Sequence, residues 1–289
     1  MRETTQAPGI VCDSSLNVPE SILREYGIVE VPALVIFGPD EVYRNKVDIS
    51  IEEFYHRFVD LGQQPTTSQP TPAQFLDAYR ETGASHVLCL TVTAKLSGTY
   101  NAALQAAAMA AEEGIHVTVW DTTFASMAGG WQVIHAARRI RAGVPLERIF
   151  EELRRIQKRT FGFLTVDTLT YLARAGRISP ARAHVGNLLN IRPILELRSH
   201  ALEVIGQERG RKRSKRALIR LARERVGERP ARIAVAHANI PEEAHDFLEM
   251  CKTHIHIVES YVVELGPAVG TIGGPGLLGI TGYPVEDEV

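Results

Sequence analysis

His86-Val-Leu-Cys-Leu-Thr-Val92 leads through Thr93 and Ala94 into Lys95-Leu-Ser-Gly-Thr-Tyr-Asn101, and an alanine-rich run then carries on to Glu113 and Gly114. A continuous apolar run, a short polar loop and an alanine-rich stretch read as strand, tight loop and helix. At such a junction backbone N–H groups and hydroxyls converge on a helix N-terminus, where negative charge is favoured. Ser97, Thr99 and Tyr100 supply hydroxyls there, and Gly98 lets a ligand approach the backbone. The plainer reading of the same residues is a helix cap.

Outward from this junction the same alternation repeats. Gly9-Ile-Val-Cys12 reads as a buried strand ending at Asp13-Ser14-Ser15. Asn17-Val-Pro-Glu20 has the spacing of a capping box, opening a helix to about Tyr26 that Gly27 stops. Ile28–Phe37 is a β-branched run broken by Pro32, which predicts an edge strand or two pieces. Ser50 and Glu53 form a second capping-box pattern. Gln64-Pro-Thr-Thr-Ser-Gln-Pro-Thr-Pro72 must be extended, because its prolines disfavour helix for the residues before them. Thr71 and Gln74 then open a helix to about Thr82. Downstream, Ile115–Trp120 reads as a strand ending at Asp121-Thr-Thr-Phe-Ala-Ser126, with helices over roughly 127–141 and from Pro145 to about Lys158.

Strands alternating with helices predict a parallel sheet covered by helices on both faces, an N-terminal α/β domain over 1–159. Ligands of such sheets bind beyond the carboxyl ends of the strands. Asp13, Ser97 and Asp121 all fall there, so they should crowd one edge. From Phe161 the pattern changes to α+β, which predicts a second domain over 160–289 with a ligand between the two. Its elements are strands at Phe161–Val166, 193–197, 202–205, 232–236 and 255–264. Helices alternate with them at about 169–175, 179–189, 214–226 and 241–252.

Hydrophobic residues make up 45% of the 289, charged residues 23%, and the formal net charge is −2, so the chain has no global pull toward nucleic acid or anionic membranes. Three well-separated cysteines read as reduced core residues, the N-terminus shows no secretory pattern, and no apolar run approaches the ~20 residues that span a bilayer. A cytoplasmic protein without stable membrane insertion is expected.

Several conspicuous features suggest little chemistry. In the basic run Arg209–Arg225 the apolar Leu218, Leu221, Ala222 and Val226 follow helical spacing, so the cations line a solvated or acidic-partner-facing side. No nucleic-acid motif or interleaved aromatics accompany them. Gly266–Gly276 is glycine-rich without the ending of a P-loop or the spacing of a dinucleotide fingerprint. Its glycines would either expose N–H groups to an anion or permit close packing. The ten histidines, His184, His254 and His256 among them, show no metal spacing. Asp13-Ser14-Ser15 lacks a nucleophile-elbow pattern and an evident histidine partner. Neither a metal site, a catalytic residue nor a cofactor is expected.

Taken in series, seven segments resemble the DegV family: Val11-Cys-Asp-Ser-Ser15, Pro65-Thr-Thr-Ser-Gln-Pro70, Lys95-Leu-Ser-Gly-Thr-Tyr100, Asp121-Thr-Thr-Phe-Ala-Ser126, Leu172-Ala-Arg-Ala-Gly-Arg-Ile178, Asn190-Ile-Arg-Pro-Ile194 and Gly274-Pro-Gly276. They recur in that family's order over nearly the whole chain. The resemblance implies a bacterial fatty-acid-binding protein of two α/β domains with the lipid between them. In some members the bound acyl carboxylate is presented to a separate fatty acid kinase, so a kinase subunit is an implied partner. It also implies Thr67 and Ser97 as carboxylate ligands, with Ser68, Gly98 and Thr99 beside them and Arg177 and Arg192 on the head-group side. Two hydroxyl donors at a helix N-terminus suit a carboxylate. Burial of a tail of roughly sixteen carbons, at ~0.8 kcal/mol per methylene, would dominate affinity. One departure is visible: Ile272 and Gly273 stand where the family usually has histidine and threonine. A rival expectation is an enzyme acting on a small phosphorylated or carboxylated metabolite at the same edge; a third is a regulatory protein using the basic helix.

Overall fold

The computed structural model describes residues 7–178, 190–198 and 200–285. Up to Arg159 the chain runs β1 (Gly9–Asp13), α1 (Glu20–Tyr26), β2 (Val29–Val31), β3 (Leu34–Gly38), β4 (Glu41–Arg44), α2 (Ile51–Tyr55), β5 (Thr66–Ser68), α3 (Pro72–Glu81), β6 (His86–Thr91), α4 (Thr99–Glu112), β7 (His116–Asp121), α5 (Met127–Arg141) and α6 (Leu146–Arg159). It continues with β8 (Phe161–Thr165), α7 (Thr170–Arg174), β9 (Ile191–Arg198), β10 (Ala201–Arg209), α8 (Arg211–Val226), β11 (Ala231–His237), α9 (Pro241–Lys252), β12 (Ile257–Glu264), α10 (Pro267–Gly273) and β13 (Leu278–Pro284).

The expected parallel sheet is present, in the order β2-β1-β6-β7 with every neighbour parallel. Side-chain alternation along its strands divides two layers. Val11, Val87 and Cys89 pack under α3 and α4, while Ile10, Cys12, Leu88 and Leu90 face the other way, toward α5. A separate mixed sheet follows, in the order β10-β9-β8-β13-β11-β12. Its outer face carries Phe161, Phe163, Ile233, Val235, Leu278 and Ile280 against α8 and α9. The inner face shares its core with α5, whose Trp131 packs against Tyr261 and Tyr283 at centroid distances of 5.4 and 6.1 Å. Arg138 of α5 meets Glu259 of β12. α5 therefore lies between the two sheets and belongs to both.

Pro32 splits its run as the sequence predicts, and β3 leaves the parallel sheet for a small antiparallel one, β4-β3-β5. Both Ser50 and Thr71 cap their helices, Thr71 with the complete reciprocal box to Gln74. Asn17 does not: it adopts φ 49° after a single 3₁₀ turn, its side chain caps nothing, and Pro19 precedes the helix instead. The acidic end of α4, unfavourable to the helix dipole by itself, is answered by Arg80, which holds Glu113 at 2.5 Å. Among the basic helix's residues, Leu218, Ala222 and Val226 are buried as their spacing implies. Three elements escaped the pattern: β4, the short helix α10 inside the glycine-rich stretch, and β13. The helix expected over 179–189, with His184, lies outside the described residues. Among the described residues no helix is long and apolar enough to cross a membrane.

Candidate functional site

Asp13, Ser97 and Asp121 do gather at the carboxyl ends of the parallel strands, but the two acids are fasteners for the loops there. Asp13 is buried and accepts from the amides of Ser15 (2.9 Å) and Val92 (2.6 Å). Burial pushes its carboxyl up to about 6 in spite of those donors. Asp121 accepts from the amides of Thr123 (2.7 Å) and Ala94 (3.3 Å). Next to Asp13, Ser14 Oγ accepts from Ala33 N–H at 3.0 Å. The loops so fastened form one wall of a cavity.

That cavity, about 260 Å³, lies between the strand ends and the inner face of the six-stranded sheet. Its sheet wall sets small residues among leucines. Gly162 and Leu164 of β8, Gly279 and Thr281 of β13 and Ala236 of β11 all line it. Their register puts Ala236, Gly279 and Leu164 side by side, with Thr281 beside Gly162 in the next row. Glycine inside a strand is unfavourable and marks a place where something must come close to the backbone. A β-carbon added to Gly279 would come no nearer than 3.4 Å to any protein atom, so the omitted volume is left to the cavity. Leu172, Leu197, Leu202, Leu265, Leu277 and Ile272 complete an apolar lining.

Thr67, Ser68, Ser97, Thr99 and Arg177 line the same cavity. β5 brings Thr67 in by pairing it with Val35, and the two hydroxyl segments meet where Gln69 covers Gly98. A β-carbon on Gly98 would lie 2.6 Å from Gln69 Oε1, so no larger residue fits there without movement. Ser97 Oγ and Thr99 Oγ1 are 2.8 Å apart, and Thr99 N–H donates to Ser97 Oγ at 3.3 Å. Arg177 Nε donates to Leu96 O at 3.2 Å. Burial holds this guanidinium below its ordinary pKa, and among the described residues it has no carboxylate partner. Arg192 is placed elsewhere: it does not line the cavity, and its guanidinium pairs with Asp167.

A polar basin of about 540 Å³ adjoins the cavity and shares Leu96, Ser97, Arg177 and Leu202 with it. Lys95, Gly98 and His200 line the basin as well. His200 reaches across from the β9–β10 turn, its Nδ1 2.9 Å from Thr93 Oγ1. Positive charge and hydroxyls thus collect where the apolar cavity opens, while α10 contributes Ile272 and Gly273 to the lining. Among the described residues no three metal-ligating side chains converge. Gln69, Ser15, Ser126 and the small residues of β8 and β13 were not assignable from sequence; only the quoted segments that contain Ser15, Gln69 and Ser126 hinted at the first three.

Two sheets clasping an apolar cavity, with hydroxyls and one guanidinium beside it, define an α/β protein built around an enclosed pocket. The chain belongs to the DegV family: the family model described as "Uncharacterised protein, DegV family" matches residues 8–285. It is 32% identical to Protein DegV of Bacillus subtilis over 275 residues, covering 94% of this chain and 97% of that protein. A DegV domain-containing protein of Deinococcus radiodurans is 33% identical over 280 residues, covering 96% and 98%. Among solved structures, a DegV family protein from Thermus thermophilus described for its fatty acid binding superposes with a TM-score of 0.86 at 33% identity, covering 97% of this chain and all of that one. A DegV lipid binding protein from Thermotoga maritima gives 0.89 at 30% identity, covering 97% and 99%.

Proposed function

We propose that this protein binds a long-chain fatty acid in the cavity and serves as its carrier, without catalytic machinery of its own. The observation that carries this reading is the joining of a lining made mostly of aliphatic side chains and glycines to a mouth of hydroxyls and one guanidinium without a carboxylate partner among the described residues. Such a site matches a ligand that is an anion at one end and hydrocarbon along the rest. The carboxylate would accept from Thr67 and Ser97, with Ser68, Gly98 and Thr99 shaping the seat and Arg177 supplying the opposite charge. Arg192, already paired with Asp167, is left out of that seat. The Thermus and Thermotoga relatives, described as binding fatty acid and lipid, support the ligand class.

The proposal divides the chain into 1–159 and 160–289, supported by the strands of the parallel sheet all preceding residue 160 and those of the six-stranded sheet all following it. It places the protein in the cytoplasm. The basin of Lys95, Arg177 and His200 beside Ser97 favours one extension, that the seated carboxylate is presented there to a separate kinase. The apolar Ile272 and Gly273 bear on the other side of that question, since neither can hydrogen-bond a phosphoryl group through its side chain. Lipid extraction and mass spectrometry of the purified protein test the main reading. A long-chain fatty acid in stoichiometric amount is expected; its absence, with no uptake of added palmitate, would overturn the carrier role. Acyl phosphate formed only when protein, kinase and ATP are combined would establish the extension.

A further inference from the structure

The parallel sheet has a second rim, at the amino-terminal ends of its strands, and there β6 and β7 both begin with a histidine. His86 and His116 stand directly opposite one another in the parallel register. Opposed residues of a parallel pair project to the same side of the sheet. Their imidazole centroids lie 5.3 Å apart, with the ring planes inclined by 35°. Both residues are exposed, and neither lines the cavity or the basin. They are far apart in sequence, so no local spacing announces the pair.

That separation is the one a shared ion requires. Zinc bonds imidazole nitrogen at about 2.0–2.1 Å in tetrahedral geometry, which puts the centroids of two rings on one ion roughly 5 Å apart. Little else claims these rings. His86 Nδ1 lies 3.2 Å from Ser85 Oγ, and among the described residues no carboxylate pairs with either histidine. In the tautomer whose Nδ1–H donates to Ser85, the lone pair sits on Nε2, and the hydroxyl orients the ring as outer-shell partners of metal-bound histidines do. Two charged imidazoles directly opposite each other would repel. As neutral ligands of one dication they gain from the same closeness.

We propose that His86 and His116 form a chelating site for a transition-metal dication of the zinc class, which staples the starts of β6 and β7. Imidazole nitrogen selects zinc, nickel and copper over the oxygen-seeking calcium and magnesium. With two protein ligands and water in the remaining positions, the ion exchanges with solvent, unlike one closed in by four side chains. The unfolded chain does not hold the two rings together, so occupancy adds to the stability of the fold by mass action. The site is independent of the fatty-acid reading, since the pair stands at the opposite end of β6 from Ser97.

The test is calorimetric titration of Zn²⁺, with Mg²⁺ as the control, into the wild type, His86→Ala and His116→Ala, each protein also being melted with and without zinc. Both positions are exposed, so the variants should fold as the wild type does, and the melts without zinc check this. One zinc ion per chain is expected, with no heat from Mg²⁺ and a rise in the wild-type melting temperature when zinc is present. Each variant should bind zinc more than about tenfold more weakly, since loss of even a supporting residue costs that much, and should lose the zinc-dependent rise. No uptake by the wild type would overturn the inference. So would wild-type affinity in either variant, which would leave an adventitious ion only or a single imidazole. Palmitate affinity should be the same in all three proteins, so a failure to bind palmitate would count against the fatty-acid reading alone.

Discussion

The six-stranded sheet uses the same strands for opposite purposes on its two faces. Outward, Phe161, Phe163, Ile233, Val235, Leu278 and Ile280 fill the space under α8 and α9. Inward, the alternating partners are Gly162, Leu164, Ala234, Ala236, Gly279 and Thr281, and much of the space they leave is the cavity. One face gains stability by filling volume; the other forgoes that gain to keep room for a ligand. The contrast locates function in side chains that are small, where inspection for reactive groups finds nothing.

The contrast can be broken first on the packed face. Ile233→Ala removes a fully buried side chain and should lower stability by about 2–5 kcal/mol in urea unfolding, with palmitate affinity unchanged. Gly279→Leu should do the reverse. The leucine displaces about three methylenes of tail, roughly 2 kcal/mol or about thirtyfold in palmitate affinity, while a shorter acid such as decanoate binds nearly as before. Loss of stability as large as in Ile233→Ala would mean that the inner face is packed core after all.

Other effects sharpen the role of the polar rim. Ser97→Ala should weaken palmitate about tenfold by removing a hydrogen bond to a charged group, and leave the melting temperature nearly unchanged. Asp13 gives a pH signature. Its carboxyl titrates near 3.8 when the chain is unfolded and at about 6 when folded, so in that window the native state holds a proton the unfolded chain has lost. Stability should therefore fall as pH rises through the window, by about 3 kcal/mol in all, then level off. Asp13→Asn should remove the slope, as read by denaturation at a series of pH values. Smallest of all, Arg192→Ala should change palmitate affinity less than about twofold, since hydrogen bonds already committed to Asp167 contribute nothing at the mouth.

What could be read from sequence follows from how local each signal is. Strand–loop–helix alternation through 86–112 is carried by periodicity and caps within a dozen residues, and the structure follows it closely. Thr71 and Gln74 likewise state their helix start in four positions. β13 escaped because Leu278-Gly-Ile-Thr-Gly-Tyr-Pro284 has the composition of a loop, yet it is a central strand. Its glycines answer to remote neighbours: Gly279 to the cavity, Gly282 to the carbonyl of Arg232, too close for any β-carbon. Asn17 misled for the opposite reason, having the right spacing for a cap with its side chain buried elsewhere. Ser97 was legible as a hydroxyl at a helix start. Ser126 was not, because nothing in Asp121-Thr-Thr-Phe-Ala-Ser126 tells which of its hydroxyl residues will line the cavity.

The position of α5 has a kinetic consequence. With Trp131 against Tyr261 and Tyr283 on one side and the parallel sheet on the other, one continuous hydrophobic core runs through both sheets. Swinging the sheets apart to release a captive lipid would wet that core, and apolar surface resists exposure at about 25 cal/mol per Å². On the fatty-acid reading, the ligand would leave through small fluctuations at the rim rather than by parting the two sheets. Residence time is then governed by how often the rim breathes, so two ligands of equal affinity can be surrendered at very different speeds.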